Sequence, residues 1–253
     1  MTAKAKSTSK AKTFLAKVWK WTKRIFLILF ISQFVYIILL KWINPPLTIT
    51  QFVSWITGHG LKRDYVDRDE ISYNAKLAVI SSEDQLFPDH SGFDWKNIQK
   101  AMKYNKKKPG RTRGASTISQ QVAKNVFLWQ GRSWIRKGLE AYFTFMIEKI
   151  WGKKRILEVY LNVIEMGDGI FGIERAANIY FNKSAKDLSR QEAAMIAACL
   201  PGPKLKMFKV KPASRYIVAK SRHIMQQMDF LQPDPDIQKI IQRQTAAKVK
   251  NQK

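Results

Sequence analysis

Glu83 and Asp84, with Phe87 and His90 just behind them, open a run of residues whose types suit proton transfer. Thr117, Gln121, Lys124 and Asn125 follow, and Arg136, Lys137 and Glu140 close the run. Carboxylates, a hydroxyl, amides and three cations therefore fall within sixty residues of one another. A carboxylate can accept a proton from a reacting group. Arg forks and Lys point charges both bind phosphate oxygens. The collection suits acid–base chemistry beside a phosphate.

Each segment also has a plainer reading. Leu77 and Ile80 mark one face of a helix, and Glu83 continues that face three residues later. A carboxylate so placed is partly shielded from water, a setting suited to a general base; the alternative is a Glu that caps or salt-bridges a helix end. Thr117, Gln121 and Lys124 are spaced to share one helical face, with Ile118, Val122 and Val126 on the other. The polar face holds hydroxyl, amide and ammonium without an acid, which suits sugar hydroxyls and a phosphate, or it is simply solvated. Arg136, Lys137 and Glu140 lie within one helical turn. An i,i+4 ion pair there is worth about 0.2–0.5 kcal/mol, and cation-before-acid is its weaker orientation. The basic stretch 105–113 runs into Ser116-Thr117. It is either a solvated loop or a phosphate-facing one, since a helix start offers free N–H groups to anions.

The elements that must position these residues follow a membrane-like start. Residues 1–24 carry eight Lys/Arg and no acid, and Ile25–Leu40 has only Ser32 and Gln33 as polar breaks. With its Trp and Lys flanks this segment reaches the roughly 20 residues that span a bilayer. The expectation is a basic cytoplasmic tail (1–24), a transmembrane helix (25–43) stopped by Pro45-Pro46, and an extracytoplasmic remainder. No small-residue cleavage pattern follows the apolar run, so an uncleaved anchor is expected rather than a signal peptide. Residues 44–70 read as a membrane-proximal connector, apolar enough over Leu47–Ile56 to lie on the membrane surface or form a short helix. A domain over 71–233 and a polar basic tail over 234–253 complete the chain.

Within that domain the periodicity is helical. Ile118, Val122 and Val126 repeat at four-residue spacing, as do Ile135, Leu139 and Phe143. A further helix is expected over Arg190–Leu200, closed by Pro201-Gly202-Pro203. No apolar–polar alternation demands a sheet, and the fold class expected is mostly α.

Composition adds bounds. The 45 Lys+Arg against 19 Asp+Glu leave a formal charge of +26, which calls for nucleic acid, an anionic membrane surface or a phosphorylated substrate. Eight Trp and fourteen Phe argue against disorder. Cys199 is the only cysteine, so no internal disulfide forms, and it reads as a small core side chain. His59, His90 and His223 lie too far apart in sequence to suggest a zinc cluster.

The three segments together resemble the first three signature motifs of the peptidoglycan glycosyltransferases of family 51. The likeness continues through Lys153-x-x-Ile156-Leu157-Glu158-x-Tyr160-Leu161-Asn162, Gly167, Gly172, Ala176-Ala177, Tyr180-Phe181-x-Lys183, Leu188 and Glu192-Ala193-Ala194. It covers roughly residues 70–205. No penicillin-binding domain follows, so the chain resembles the monofunctional branch of the family. The resemblance implies a lysozyme-like α-helical domain that polymerises lipid II into β-1,4-linked glycan with inversion, releasing undecaprenyl pyrophosphate. It implies Glu83 as the base and Glu140 as a second catalytic carboxylate that either organises the cations or binds Mg2+ or Mn2+. Lys124, Arg136 and Lys137 would neutralise the leaving pyrophosphate. Asp84, Phe87, His90, Thr117, Gln121 and Asn125 would shape the site, and Lys153 belongs to the same binding set. No organic cofactor is implied. The partners implied are lipid II, the growing glycan chain, membrane lipid, and cell-wall or division proteins, with no nucleic acid. Two other classes explain parts of the pattern: a lysozyme-like lytic glycosidase, and a membrane-tethered binder of anionic polymers without catalysis.

Overall fold

The computed structural model describes residues 3–108, 113–131, 133–202 and 214–242. The chain divides after Ile43 into two units. The first is one helix, α1 (Ala3–Leu39). Within it Phe14–Leu39, 26 residues with mean hydropathy 1.8, are long and apolar enough to cross a membrane. Two limits differ from the sequence reading. The helix is already formed well before residue 25, because the Ala- and Lys-rich start has high helix propensity. It ends at Leu39 in a turn that runs through Trp42, ahead of Pro45-Pro46.

The second unit opens with α2 (Ile49–Ile56), whose start is fixed by a reciprocal capping box between Thr48 and Gln51. A short strand, β1 (Lys62–Arg63), and a 3-10 turn lead into α3 (Tyr73–Glu83). Every residue of α3 from Ala75 to Ser81 is buried, the signature of a helix enclosed on all sides. There follow α4 (Trp95–Lys107), α5 (Ile118–Phe127), α6 (Trp134–Ile150) and α7 (Gly152–Val163). Strands β2 (Glu165–Gly167) and β3 (Ile170–Phe171) precede α8 (Ile173–Phe181) and α9 (Arg190–Cys199). Helices α10 (Arg215–Leu231) and α11 (Pro235–Ile241) end the described chain. α3 packs against α9 and α10, while α5 packs against α6 and α7. Leu77, Ile80, Phe87, Ile118, Tyr160 and Phe171 are fully enclosed in the core they make.

The domain is mostly α, as expected, with one small sheet that periodicity did not reveal. Its order is β1-β3-β2, with β1 parallel to β3 and β2 antiparallel to it. Strands of two or three residues are too short to alternate visibly. Gly169 holds this sheet to the chain before it. Its carbonyl accepts from the Lys62 amide at 2.8 Å, its φ is +66°, and a Cβ there would lie 2.0 Å from the His59 carbonyl oxygen. Gly169→Ala is therefore expected to destabilise the domain by at least about 2 kcal/mol. Thermal unfolding should register this as a fall in Tm of roughly 4–8 °C.

The limits of the domain shift as well. The segment expected as a connector is part of the fold: α2 packs on α5, and β1 is a strand of the sheet. At the other end, residues 235–241 were expected in a polar tail, yet they form α11 and bury Ile237, Ile240 and Ile241. Asp234 caps that helix through two backbone N–H bonds, and Pro235 stands at its first turn. Residues 243–253, Pro203 and most of the Gly/Pro part of the basic loop lie outside the described residues. The flanks of that loop are tied together, Asn105 and Arg113 exchanging two hydrogen bonds of 2.7 and 3.1 Å.

Candidate active site

Glu83 is the last residue of α3, half-buried at the edge of a cleft of about 500 Å³. Its Oε2 accepts a hydrogen bond from the Gln121 amide at 2.9 Å, and Ser82 Oγ donates to Oε1 at 3.2 Å. Gln121 is positioned in turn from behind: the fully buried Tyr160 hydroxyl donates to Gln121 Oε1 at 3.3 Å. Burial raises the Tyr160 phenol well above its ordinary value, with the Glu83 and Asp84 charges adding to the shift. It therefore stays a proton-bearing donor, and Gln121 presents its NH2 group to Glu83.

Asp84 performs a different task. Its side chain is buried; Oδ2 accepts from the Ile118 backbone N–H at 2.9 Å, and Oδ1 lies 2.9 Å from His90 Nε2. The Gly92 amide donates to His90 Nδ1 at 3.1 Å, so Nε2 carries the proton given to Asp84. Thr117 caps α5 and its hydroxyl donates to the Gly92 carbonyl at 2.7 Å. Asp84, His90 and Thr117 together pin the start of α5 to the end of α3. Thr117 was expected to share a helical face with Gln121 and Lys124; it is instead the capping residue of α5, buried yet still lining the Glu83 cleft.

The second centre lies around Glu140. This buried carboxylate accepts from Arg136 Nη1 at 2.7 Å and from Lys137 Nζ. Lys124 on α5 joins them electrostatically. Burial pulls its ammonium below the ordinary lysine value of 10.5; Glu140 opposes the shift, and Arg136 and Lys137 add to it. Arg136 Nε is buried without a partner, and a buried donor left open invites an acceptor from outside the protein. Two cations held by one enclosed carboxylate, with the Lys124 ammonium within reach of its charge, make a clasp for a polyanion. A lysine required in its charged form but depressed in this way loses its proton earlier as pH rises. The alkaline limb of a kcat/KM profile is thus expected below pH 10.5, the ordinary lysine value. Lys124→Arg, charged throughout this range, should remove that limb.

A single helix joins the two centres. Gln121 and Lys124 are one turn apart on α5, the first on Glu83 and the second in the clasp. Asn125 is buried beside them, its amide donating to the Gln121 carbonyl at 2.8 Å.

Two expected residues are placed elsewhere. Phe87 is fully enclosed, with Lys153 Nζ over its ring at 4.5 Å. Lys153 pairs with Glu148 at 2.7 Å, and Ser119 Oγ lies 2.5 Å from the same carboxylate oxygen. These four residues brace α5, α6 and α7 against the turn after Glu83. Sequence reasoning assigned no role to Tyr160, although it stands in a quoted motif, nor to Lys220 of α10. Lys220 donates to the Ala198 carbonyl at 3.3 Å and is lowered by burial, an effect that Glu83 and Cys199 oppose. A lone Lys far along the sequence gives no signal of that proximity.

A metal does not suit this donor set. Glu140 is committed to Arg136 and Lys137, and divalent ions want several oxygen ligands. Among the described residues no three His, Cys, Asp or Glu side chains gather as metal ligands.

The carboxylate at the end of α3 and the cationic cluster around Glu140 thus meet successive turns of α5, an arrangement that can combine proton acceptance with the binding of an anionic group. The chain belongs to the transglycosylase family, whose model matches residues 50–229. It is 47% identical to the biosynthetic peptidoglycan transglycosylase of Yersinia pseudotuberculosis over 224 residues, covering 86% of this chain and 92% of the relative. The proteins of that name from Bdellovibrio bacteriovorus and Escherichia coli are 46% and 51% identical over 212 and 191 residues, covering 81% and 74% of this chain and 84% and 78% of theirs. The family match begins inside α2, which agrees with α2 being part of the domain.

Proposed function

We propose that the chain is a peptidoglycan glycosyltransferase that polymerises lipid II, a disaccharide-peptide carried on a polyprenyl pyrophosphate, into β-1,4-linked glycan. The observation that carries this reading is the pairing, across one turn of α5, of the half-buried Glu83 with the Lys124–Arg136–Lys137–Glu140 clasp. Glu83 takes the proton from the 4-hydroxyl of the acceptor GlcNAc while that oxygen bonds to the anomeric carbon of the donor MurNAc. The bond from that carbon to the pyrophosphate oxygen breaks on the opposite face, inverting the centre. The leaving lipid pyrophosphate carries away the electron pair, and the three cations stabilise the charge as it forms. Preorganised charge of this kind is usually the largest single contribution to catalysis. Glu140 acts by holding the cations in place, and no step draws on a metal.

The apolar α1 anchors the chain in the membrane that bears such a substrate. The basic residues ahead of its apolar core support a cytoplasmic N-terminus and a catalytic domain outside. Full-length protein incubated with labelled lipid II should yield a ladder of polymer that a muramidase digests. Release of fragments from finished cell wall, with no polymer from lipid II, would overturn the reading in favour of a lytic enzyme.

A further inference from the structure

Helix α2 has two faces of opposite character. Thr50, Gln51 and Ser54 are buried against the domain. Ile49, Phe52, Trp55 and Ile56 are exposed, Trp55 to 59% and Ile56 to 61%. An uninterrupted apolar face on a short helix calls for a covering partner. The buried face reaches the candidate active site. Thr50 Oγ1 donates to Asn125 Oδ1 at 3.3 Å, and Gln130 Nε2 donates to both Thr50 Oγ1 at 2.7 Å and Asn125 Oδ1 at 3.3 Å. A cavity of about 310 Å³ between α2 and α5 is lined by Thr50, Ser54, Asn125 and Lys124. Trp129, the chain neighbour of Gln130, is also exposed.

We propose that α2 lies in the bilayer interface on its Ile49–Phe52–Trp55–Ile56 face while Thr50 on the opposite face holds Asn125 in register. One eight-residue helix then sets both the seating of the domain on lipid and the geometry beside Lys124. The occupant is lipid rather than a protein because of chain continuity. Only residues 44–48 separate the unit that contains α1 from α2, a tether of about 20 Å at most when fully extended. The proposal rests on the reading that α1 spans a membrane. Trp side chains are favoured in the interfacial zone, and a basic chain is drawn to anionic lipid.

The test uses full-length protein in vesicles of phosphatidylethanolamine and phosphatidylglycerol. Trp55→Cys carries an environment-sensitive fluorophore, and Gln226→Cys, exposed on α10, serves as the reference. Cys199 is buried and stays unlabelled. Flotation of the vesicles reports anchoring independently of any activity. The Trp55 label should emit in the blue and be quenched by lipid spin-labelled near the headgroup, while the reference label stays water-like. Water-like, unquenched emission at Trp55 in protein that floats would overturn the proposal and leave the anchor intact. Failure to float would remove the anchor reading and the proposal together. A blue shift that grows with protein concentration but ignores the lipid quencher would assign the face to a second protein and overturn it too.

The link to the site has its own readout. Thr50→Val keeps the side-chain shape and removes the hydroxyl that bonds Asn125 and Gln130, so polymerisation should fall roughly 5-fold, the scale of one lost hydrogen bond, with a fall in Tm of only about 2–4 °C. Thr50→Ser should restore it. Equal rates for Thr50→Val and the parent would overturn the coupling.

Discussion

Glu83→Gln is expected to fold like the parent and to lose nearly all polymerisation. The substitution keeps the shape of the side chain and leaves an amide carbonyl that can still accept from the Gln121 amide, so the bond of 2.9 Å has a successor. It removes the group that takes the proton. General-base contributions run at about 10²–10⁴-fold, and a loss at the upper end is expected where no other carboxylate can substitute. Asp84 cannot, because Ile118 and His90 occupy its oxygens. Tm should stay within about 1–2 °C of the parent, since the residue is only half-buried and keeps a partner. Polymerisation of lipid II by gel, beside a melting curve, checks both halves. Retained polymer in the variant would remove Glu83 from the chemistry.

Glu140→Ala should damage stability and activity together. Glu140 is the only acid among the causes acting on Lys124, and its side chain is 3% exposed against 10% for its partner Arg136. Removing one partner of a buried pair strands the other charge, at a cost of about 3–5 kcal/mol. Lys137 is 44% exposed, so water takes over much of its share. For a domain of this size the expected fall in Tm is roughly 10 °C. Activity should drop at least about 100-fold. Without Glu140 nothing in the cluster opposes the effects that lower the Lys124 ammonium, and Arg136 loses the acceptor that fixes it. Glu140→Gln, which keeps an acceptor for Arg136, should lose less stability than the alanine variant while still lacking the charge that opposes the lowering at Lys124. Equal melting temperatures for parent and alanine variant would show that the clasp does not depend on this carboxylate.

Much of the site could be read from residue types because its parts are local. The Glu83-Asp84 pair, Gln121 with Lys124 one turn apart, and Arg136 with Glu140 each sit within a single element, where helical spacing dictates who meets whom. Thr117 shows the limit of that spacing. Counted as a helical position it shares the Gln121 face, but the helix begins at Ile118 and the cap turns inward to the Gly92 carbonyl. Lys153 shows another: its charge is spent on Glu148, five residues before it across the break between α6 and α7. What stayed hidden depends on contacts between distant parts of the chain. Tyr160 behind Gln121, Lys220 near Glu83, and Thr50 on Asn125 are separated from their partners by 39, 137 and 75 residues. The sheet was hidden for a different reason, its strands of two or three residues being too short for an alternation to repeat. The boundary at residue 234 missed α11 because the polar, basic character of 234–253 as a whole outweighed Ile237, Ile240 and Ile241, although proline at a first turn suits a helix start.

The short helix α5 carries a contact to the proton acceptor on one turn and a cation of the clasp on the next, and it is fixed at its start by Asp84 and Thr117. A helix advances by about 100° for each residue. Gaining or losing one residue between Ile118 and Lys124 would swing the lysine to another side of the rod while its start stayed clamped. This stretch can therefore drift in side-chain identity but not in length. Along the lineage of such a chain, insertions and deletions must accumulate elsewhere, and a designer grafting the site onto another scaffold must carry α5 as an indivisible gauge.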